Sequence, residues 1–258
     1  MPFFDSEHGP VYYRHWAAER PRAAVIFLHG FGEHSGLYHR LGFTLNAAGI
    51  DLWAVDQLGH GQTPGARGDF GSTEISSQLA EELTLIAERE YPNLPLVAAG
   101  HSFGAAATAW RLLDQRDRYR AAIISAAPLS PNPALGDGSL ELTPESLSAD
   151  PFYLDAIIND PLAFTDAEEG WARLVEEVGK ATDRFARALP GLTTATLAVH
   201  GTEDPVIPID GVREWVPRVD KLELTEFTGA RHDLLNETVH QQVAATIVDF
   251  VTQHTASK

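Results

Sequence analysis

Short apolar runs alternate with stretches of helical periodicity through most of this chain. Residues 11–16, Ala23–Leu28, Ile50–Val55, 96–99 and Ala121–Ser125 are runs of strand length and composition, each ending at polar or turn-forming residues. Between them, Tyr38, Leu41, Leu45 and Ala48 recur at helical spacing before Gly49, and Ile75, Leu79, Leu83 and Ile86 do the same. Residues 103–114 combine the helix-favouring Ala105, Ala106, Ala107 and Ala109 with apolar Trp110 and Leu113. Later, 197–201 ends in Gly201, 221–227 alternates like a half-buried strand, and Val243, Ile247 and Val251 mark a last helix. Strand and helix in succession, without internal repeat, predict an α/β fold: a mostly parallel sheet covered by helices on both faces.

From 127 to 192 the alternation fails. Pro128, Pro131, Pro133, Gly136 and Gly138 interrupt it, and no strand-like run follows. Thr165 and Glu168 resemble a capping box ahead of Trp171, Leu174, Val175, Val178 and Phe185, until Pro190 and Gly191 stop the helix. The expected organisation is a core of 1–127 and 192–258 with a helical insertion, 128–191, at the carboxyl side of the sheet. Such an insertion serves either as a cap that excludes water from a site beneath it or as a helix packed on the core, and the pattern fits both.

The strand at 96–99 runs into Gly100, His101, Ser102, Phe103 and Gly104, and a helix follows at once. Strand, G-x-S-x-G and helix in that order predict a nucleophile elbow, with the Ser102 hydroxyl lifted on a sharp turn. A serine needs a base, and the base needs an orienting acid. On this elbow they follow in the order serine, acid, histidine. Asp204, in the loop after Gly201 and before Pro205, is the candidate acid; Glu203 beside it is the alternative. His232, in the loop between the 221–227 strand and the last helix, is the candidate base. His200 at a strand end reads as a core residue, His240 as part of the last helix, and His8, His15, His39 and His254 as surface positions. For a developing oxyanion, backbone N–H donors are expected from Phe103 and from Phe31, which lies between Gly30 and Gly32 after an early strand. His29 reads as a residue that fixes this loop.

Several further segments join these in one order: His29 to Ser35, Asp56 to Thr63, Gly65 to Gly68, Asn159 to Leu162 and Gly201 to Val206. Together with the elbow and the region of His232, they resemble the monoacylglycerol lipase and lysophospholipase group of α/β-hydrolases. The resemblance implies the α/β-hydrolase fold with about eight strands and a mobile helical cap. It implies an esterase or lipase with Ser102, Asp204 and His232 as catalytic triad and the amides of Phe31 and Phe103 as oxyanion hole. Phe103, Gly104 and Ala105 depart from the methionine and two glycines usual after the serine, and Gln57 and Gln62 stand at positions usually filled differently. The aromatic pair Phe31 and Phe103 predicts an acyl preference distinct from that of a long-chain monoglyceride lipase.

A length of 258 residues suits one α/β unit with an insertion. At 44% hydrophobic and 21% charged, the composition is that of a folded globular protein. The net charge of -17 argues against nucleic acid as a partner and against binding to anionic membranes through a basic patch. The absence of cysteine excludes disulfides and thiol chemistry. Residues 1–7 lack the basic and apolar blocks of a signal peptide, and no apolar run reaches membrane-spanning length, so a cytoplasmic enzyme is the expectation. The expected partner is a small-molecule acyl ester, with peripheral lipid contact through the cap, and the chemistry requires no metal or organic cofactor. An acyltransferase, an amidase or peptidase, and a slow-turnover ligand receptor use the same residues and stand as alternatives.

Overall fold

The computed structural model describes residues 2–115, 117–140, 142–164 and 167–256; Thr165, the expected partner of Glu168 in a capping box, lies outside them. Eight strands form one sheet: β1 Phe3–Ser6, β2 Gly9–Trp16, β3 Ala23–Leu28, β4 Ile50–Val55, β5 Leu96–His101, β6 Ala121–Ser125, β7 Ala195–Gly201 and β8 Leu222–Phe227. Their order is β1-β2-β4-β3-β5-β6-β7-β8, antiparallel for the β1–β2 and β2–β4 pairs and parallel from β4 to β8. The α-helices are α1 His39–Ala47, α2 Thr73–Glu90, α3 Phe103–Asp114, α4 Pro144–Leu147, α5 Pro151–Asn159, α6 Glu168–Ala188, α7 Asp210–Arg213 and α8 His240–Thr255.

Successive residues of each parallel strand feed opposite faces of the sheet, as the two-residue period of a strand requires. Val25, Phe27, Leu52 and Val97 pack with Leu41 and Leu45 of α1 and Val243 and Ile247 of α8. Ala24, Ile26, Trp53 and Ala98 pack with Leu79 and Leu83 of α2 and Ala105 and Leu112 of α3. Both faces are covered, so β3 to β6 are buried at every position. Continuous apolar runs are the sequence form of this arrangement.

β1 escapes the sequence reading. It is four residues long, and its partner β2 supplies all its strand pairing through the hairpin Ser6↔Gly9 to Phe3↔Tyr12. His15, expected at the surface, is half-buried: its ring stacks on Trp53 at 3.5 Å and its Nε2 pairs with Asp51 at 2.8 Å. Only the β2–β4 pairing brings those partners to it.

β3 sits between β4 and β5, so the connections leaving β3 and β5 part in opposite directions. The crevice at such a switch point, beyond the carboxyl ends of the strands, is where open α/β sheets bind ligands. The loop after β3 carries Gly30 to Glu33, and β5 ends at His101.

Between β6 and β7 the described chain contains no strand and carries α4, α5 and α6. Leu174 and Val178 of α6 join the apolar layer above the site, whereas Ala181 and Phe185, one turn further on, join the layer packed beneath the sheet with Leu189 and Leu192. α6 therefore contributes to both apolar layers. Glu177 fastens its middle to the core: Oε2 accepts the Thr73 N–H at 2.8 Å, satisfying a free donor at the start of α2.

Candidate active site

Ser102 has φ 52° and ψ -119°, a strained backbone conformation for a residue with a side chain. Surrounding bonds impose it: the Ser102 N–H donates to the Ser125 carbonyl at 2.8 Å, and the Ser102 carbonyl accepts from the Ala105 N–H at 2.9 Å. The two flanking glycines are required by space. A Cβ at Gly100 would strike the Gly104 carbonyl, and one at Gly104 would strike the carbonyls of Leu28 and His29.

Folding brings the three widely separated candidates together. His232 Nε2 lies 2.9 Å from Ser102 Oγ, and His232 Nδ1 lies 2.9 Å from Asp204 Oδ2. Asp204 Oδ1 accepts the N–H groups of Val206 and Ile207, each at 2.9 Å, so the carboxylate is fixed at both oxygens. His200, fully buried, adds its Nε2 at 3.2 Å from Asp204 Oδ2 while bonding the Ile207 carbonyl at 2.8 Å. Glu203, the alternative acid, is exposed, and the carboxylate bonded to His232 Nδ1 is that of Asp204. Burial would raise the Asp204 carboxyl, but the imidazoles of His232 and His200 outweigh it and hold the group well below the usual carboxylate range. Burial alone would lower His232; the charge and hydrogen bond of Asp204, with the charge of Asp233 behind it, prevail and push it up to about 9.

Residues 19–239 match the family described as serine aminopeptidase, S33. This chain belongs to that family. Its fold is the α/β-hydrolase fold. The monoacylglycerol lipase of Mycolicibacterium smegmatis is 27% identical to it over 264 residues, 95% of this chain and 93% of the relative. The monoglyceride lipase of Homo sapiens is 26% identical over 270 residues, 96% of this chain and 88% of the relative. Among solved structures, a Paleococcus ferrophilus monoacylglycerol lipase superposes with a TM-score of 0.81 at 24% identity, covering 95% of this chain and 99% of its own. A carboxyl esterase from Bacillus coagulans does so with a TM-score of 0.82 at 19% identity, covering 98% of each chain.

The other motif segments of this S33-family chain brace the loop after β3. His34 Nε2 pairs with Asp160 of the insertion at 2.9 Å, and Asp56 accepts the N–H groups of Ser35 and Gln62, each at 2.8 Å. His29 fixes the loop as expected. Its Nδ1 bonds the Gly30 carbonyl at 2.7 Å and its Nε2 accepts the Gln57 N–H at 3.0 Å, an arrangement only a neutral ring allows. Burial pushes the imidazole down to about 3, in keeping with that tautomer. Gln57 also donates its side-chain amide to the His29 carbonyl at 2.8 Å, so this departure from the usual residue has a structural task. Gln62 is exposed.

Over Ser102 lies an apolar cleft that is partly open to solvent. Leu135, Leu142, Leu147, Ile157, Phe164, Trp171, Leu174 and Val178 of the insertion form its roof, and Phe31, Phe103, Val206 and Ile207 its walls. Phe31 meets Phe164 and Trp171 edge-on at 5.6 and 6.1 Å, whereas the Phe103 ring is buried against Phe70 at 4.4 Å. The main chain of Phe103 opens α3, where amides have no acceptor within the helix and the dipole is positive. No described helix is long and apolar enough to cross a membrane.

Sequence reasoning assigns no role to Glu33, His101, Tyr153 or Asp233, yet all four are buried beside the cleft. Adjacency is the only signal that could have found three of them, since Glu33 shares a motif with Phe31, His101 precedes Ser102 and Asp233 follows His232. Donor atoms of His101, His232 and Asp233 all lie within 4.8 Å of one another, a spacing within reach of a metal ion. Each is already engaged. His101 Nε2 bonds Asp233 Oδ1 at 2.7 Å, and both nitrogens of His232 are committed to Ser102 and Asp204.

Proposed function

We propose that the protein is a serine hydrolase of carboxylic esters that works through an acyl-enzyme, with monoacylglycerol-like esters as its substrate class. The observation that carries the reading is the unbroken chain from Ser102 Oγ through His232 to Asp204, 2.9 Å at each link, at the floor of an apolar cleft. In the first step His232 Nε2 takes the Ser102 proton as Oγ attacks the ester carbonyl, and Asp204 stabilises the imidazolium. The amides of Phe31 and Phe103 receive the oxyanion. The imidazolium then returns the proton to the departing alcohol. Water repeats the sequence on the acyl-enzyme and frees the carboxylic acid.

The relatives named monoacylglycerol lipase and monoglyceride lipase, similar over nearly their whole length, support the ester and the monoacylglycerol class. The aliphatic roof supports an acyl chain as the group held, and Phe31 with Phe164 and Trp171 narrows that end of the cleft. The test is a series of p-nitrophenyl esters and monoacylglycerols of increasing acyl length, with products analysed in the presence of added alcohol and amine. Steady multiple turnover to free acid, with kcat/KM highest at short or medium chains, is expected. Ester or amide of the added nucleophile as main product would assign acyl transfer instead, and a single turnover would assign a receptor.

The pH dependence follows from the charge around His232. Only the neutral imidazole accepts the serine proton, and neighbouring carboxylates favour the cation. The kcat/KM profile should therefore rise with pH along a limb centred above the ordinary histidine value of 6.5 and level off on the alkaline side. A limb centred at or below 6.5 would contradict the placing of His232 as base.

A further inference from the structure

A second buried cluster lies beside the triad, and the mechanism above does not use it. Glu33 Oε2 accepts the Gly30 N–H at 2.8 Å and the Tyr38 hydroxyl at 2.5 Å. Asp233 Oδ1 accepts from His101 Nε2 at 2.7 Å. Between the two carboxyl groups stands the hydroxyl of Tyr153, from α5, at 3.0 Å from Glu33 Oε1 and hydrogen-bonded to Asp233 Oδ2. Glu33, Tyr38, Tyr153, His101 and Asp233 are all buried.

A phenol carries one proton and donates it once. With both carboxyl groups ionised, one contact of Tyr153 would set oxygen lone pairs against each other, and two buried negative charges would flank a neutral hydroxyl. A second proton on one of the carboxyl groups resolves both conflicts. Asp233 already accepts from His101 on its other oxygen and is the carboxylate that bond favours, which leaves Glu33 Oε1 as the atom that must donate. Burial and the facing Asp233 push the Glu33 carboxyl upward, against the opposing effects of His101, Tyr38 and the Gly30 amide. The bonds then run in one direction, from Glu33 to Tyr153 to Asp233, with His101 donating to Asp233 from the far side.

Three segments of the site meet on this chain: the loop bearing Phe31, the residue before Ser102 and the residue after His232. We propose that Tyr153 is a positioning residue, whose hydroxyl joins a protonated Glu33 to Asp233 and so ties the seating of α5 to the geometry of the oxyanion loop and the His232 loop. Its ring carries no reacting atom. It acts by holding the groups that do.

The kinetic part of the test rests on the ester-hydrolase reading, whereas the spectroscopic part is read without turnover. The infrared spectrum of the unaltered protein at neutral pH should contain the C=O stretch of a buried protonated carboxylic acid, shifted by ¹³C-labelling of glutamate; absence of such a band overturns the proton on Glu33. Tyr153→Phe keeps the ring, loses the hydroxyl and should move that band. Its kcat should fall about ten- to hundredfold with KM changed less than about threefold. Glu33→Gln offers an N–H to Tyr153 and an oxygen to Gly30 and Tyr38, as the protonated acid does. It should keep at least about a third of kcat, while Glu33→Ala falls as Tyr153→Phe does. A kcat for Tyr153→Phe within about twofold of the parent, in a protein that melts normally, overturns the positioning role. A loss in Glu33→Gln as deep as in Glu33→Ala overturns the assignment of the proton.

Discussion

Ser102→Ala should lower kcat/KM for ester hydrolysis by at least about 10⁴-fold, to the level that binding and oxyanion stabilisation alone sustain. The size follows from position. Ser102 Oγ is the atom 2.9 Å from His232 Nε2, and it faces the cleft from the head of α3. The strained turn that presents it is held by Gly100, Gly104 and the bond to the Ser125 carbonyl, none of which uses the hydroxyl. The variant should accordingly melt close to the parent. A fluorophosphonate probe followed by peptide mass mapping supplies the independent readout: a single adduct on the peptide containing Ser102, lost in the variant. Undiminished hydrolysis by Ser102→Ala would remove the nucleophile from the mechanism.

Asp204→Asn is the second large effect, a loss of about 10³- to 10⁴-fold in kcat. Asp204 Oδ2 receives the Nδ1–H of His232, which leaves Nε2 bare toward Ser102. An asparagine that turned its amide toward Nδ1 would favour the opposite tautomer, with Nε2 protonated and unable to take the serine proton. His200 and the amides of Val206 and Ile207 hold the side chain in place, so the geometry should survive while the proton logic fails. The exposed Glu203 makes the matched control. Glu203→Gln should change kcat by less than about twofold. Equal losses in the two variants would show that the acid had been misassigned.

The sequence was most legible where burial was complete. β3, β4, β5 and β6 are packed on both faces, so each had to be written as a short apolar run, and each was found at or within two residues of its observed bounds. β1 carries no such run. Its pairing comes from the hairpin with β2, and a four-residue segment has too little periodicity to announce itself. The order serine, acid, histidine is a property of the topology, so Ser102, Asp204 and His232 could be read from strand ends alone. Tyr153 could not. It lies 120 residues from Glu33 and 80 from Asp233 along the chain, inside an insertion whose pattern shows only helix, and proton sharing among the three exists only after folding. His15 was misplaced for a related reason: the Trp53 ring that covers it belongs to another strand.

The two ends of the insertion differ in how freely they can be rewritten. Ala181 and Phe185 belong to the layer that also holds Leu189, Leu192 and the α3 alanines, and Glu177 caps α2. Exchange of that half disturbs the foundation of the protein, whereas the stretch that precedes α6 lines the cleft and meets the core through Tyr153, bonded to Glu33 and Asp233, and Asp160, bonded to His34. Diversification of substrate range by recombination is therefore confined to the first part of the insertion with Tyr153 and Asp160 kept, and a chimaera that respects the architecture changes parent ahead of Glu177 rather than at the junction with β7.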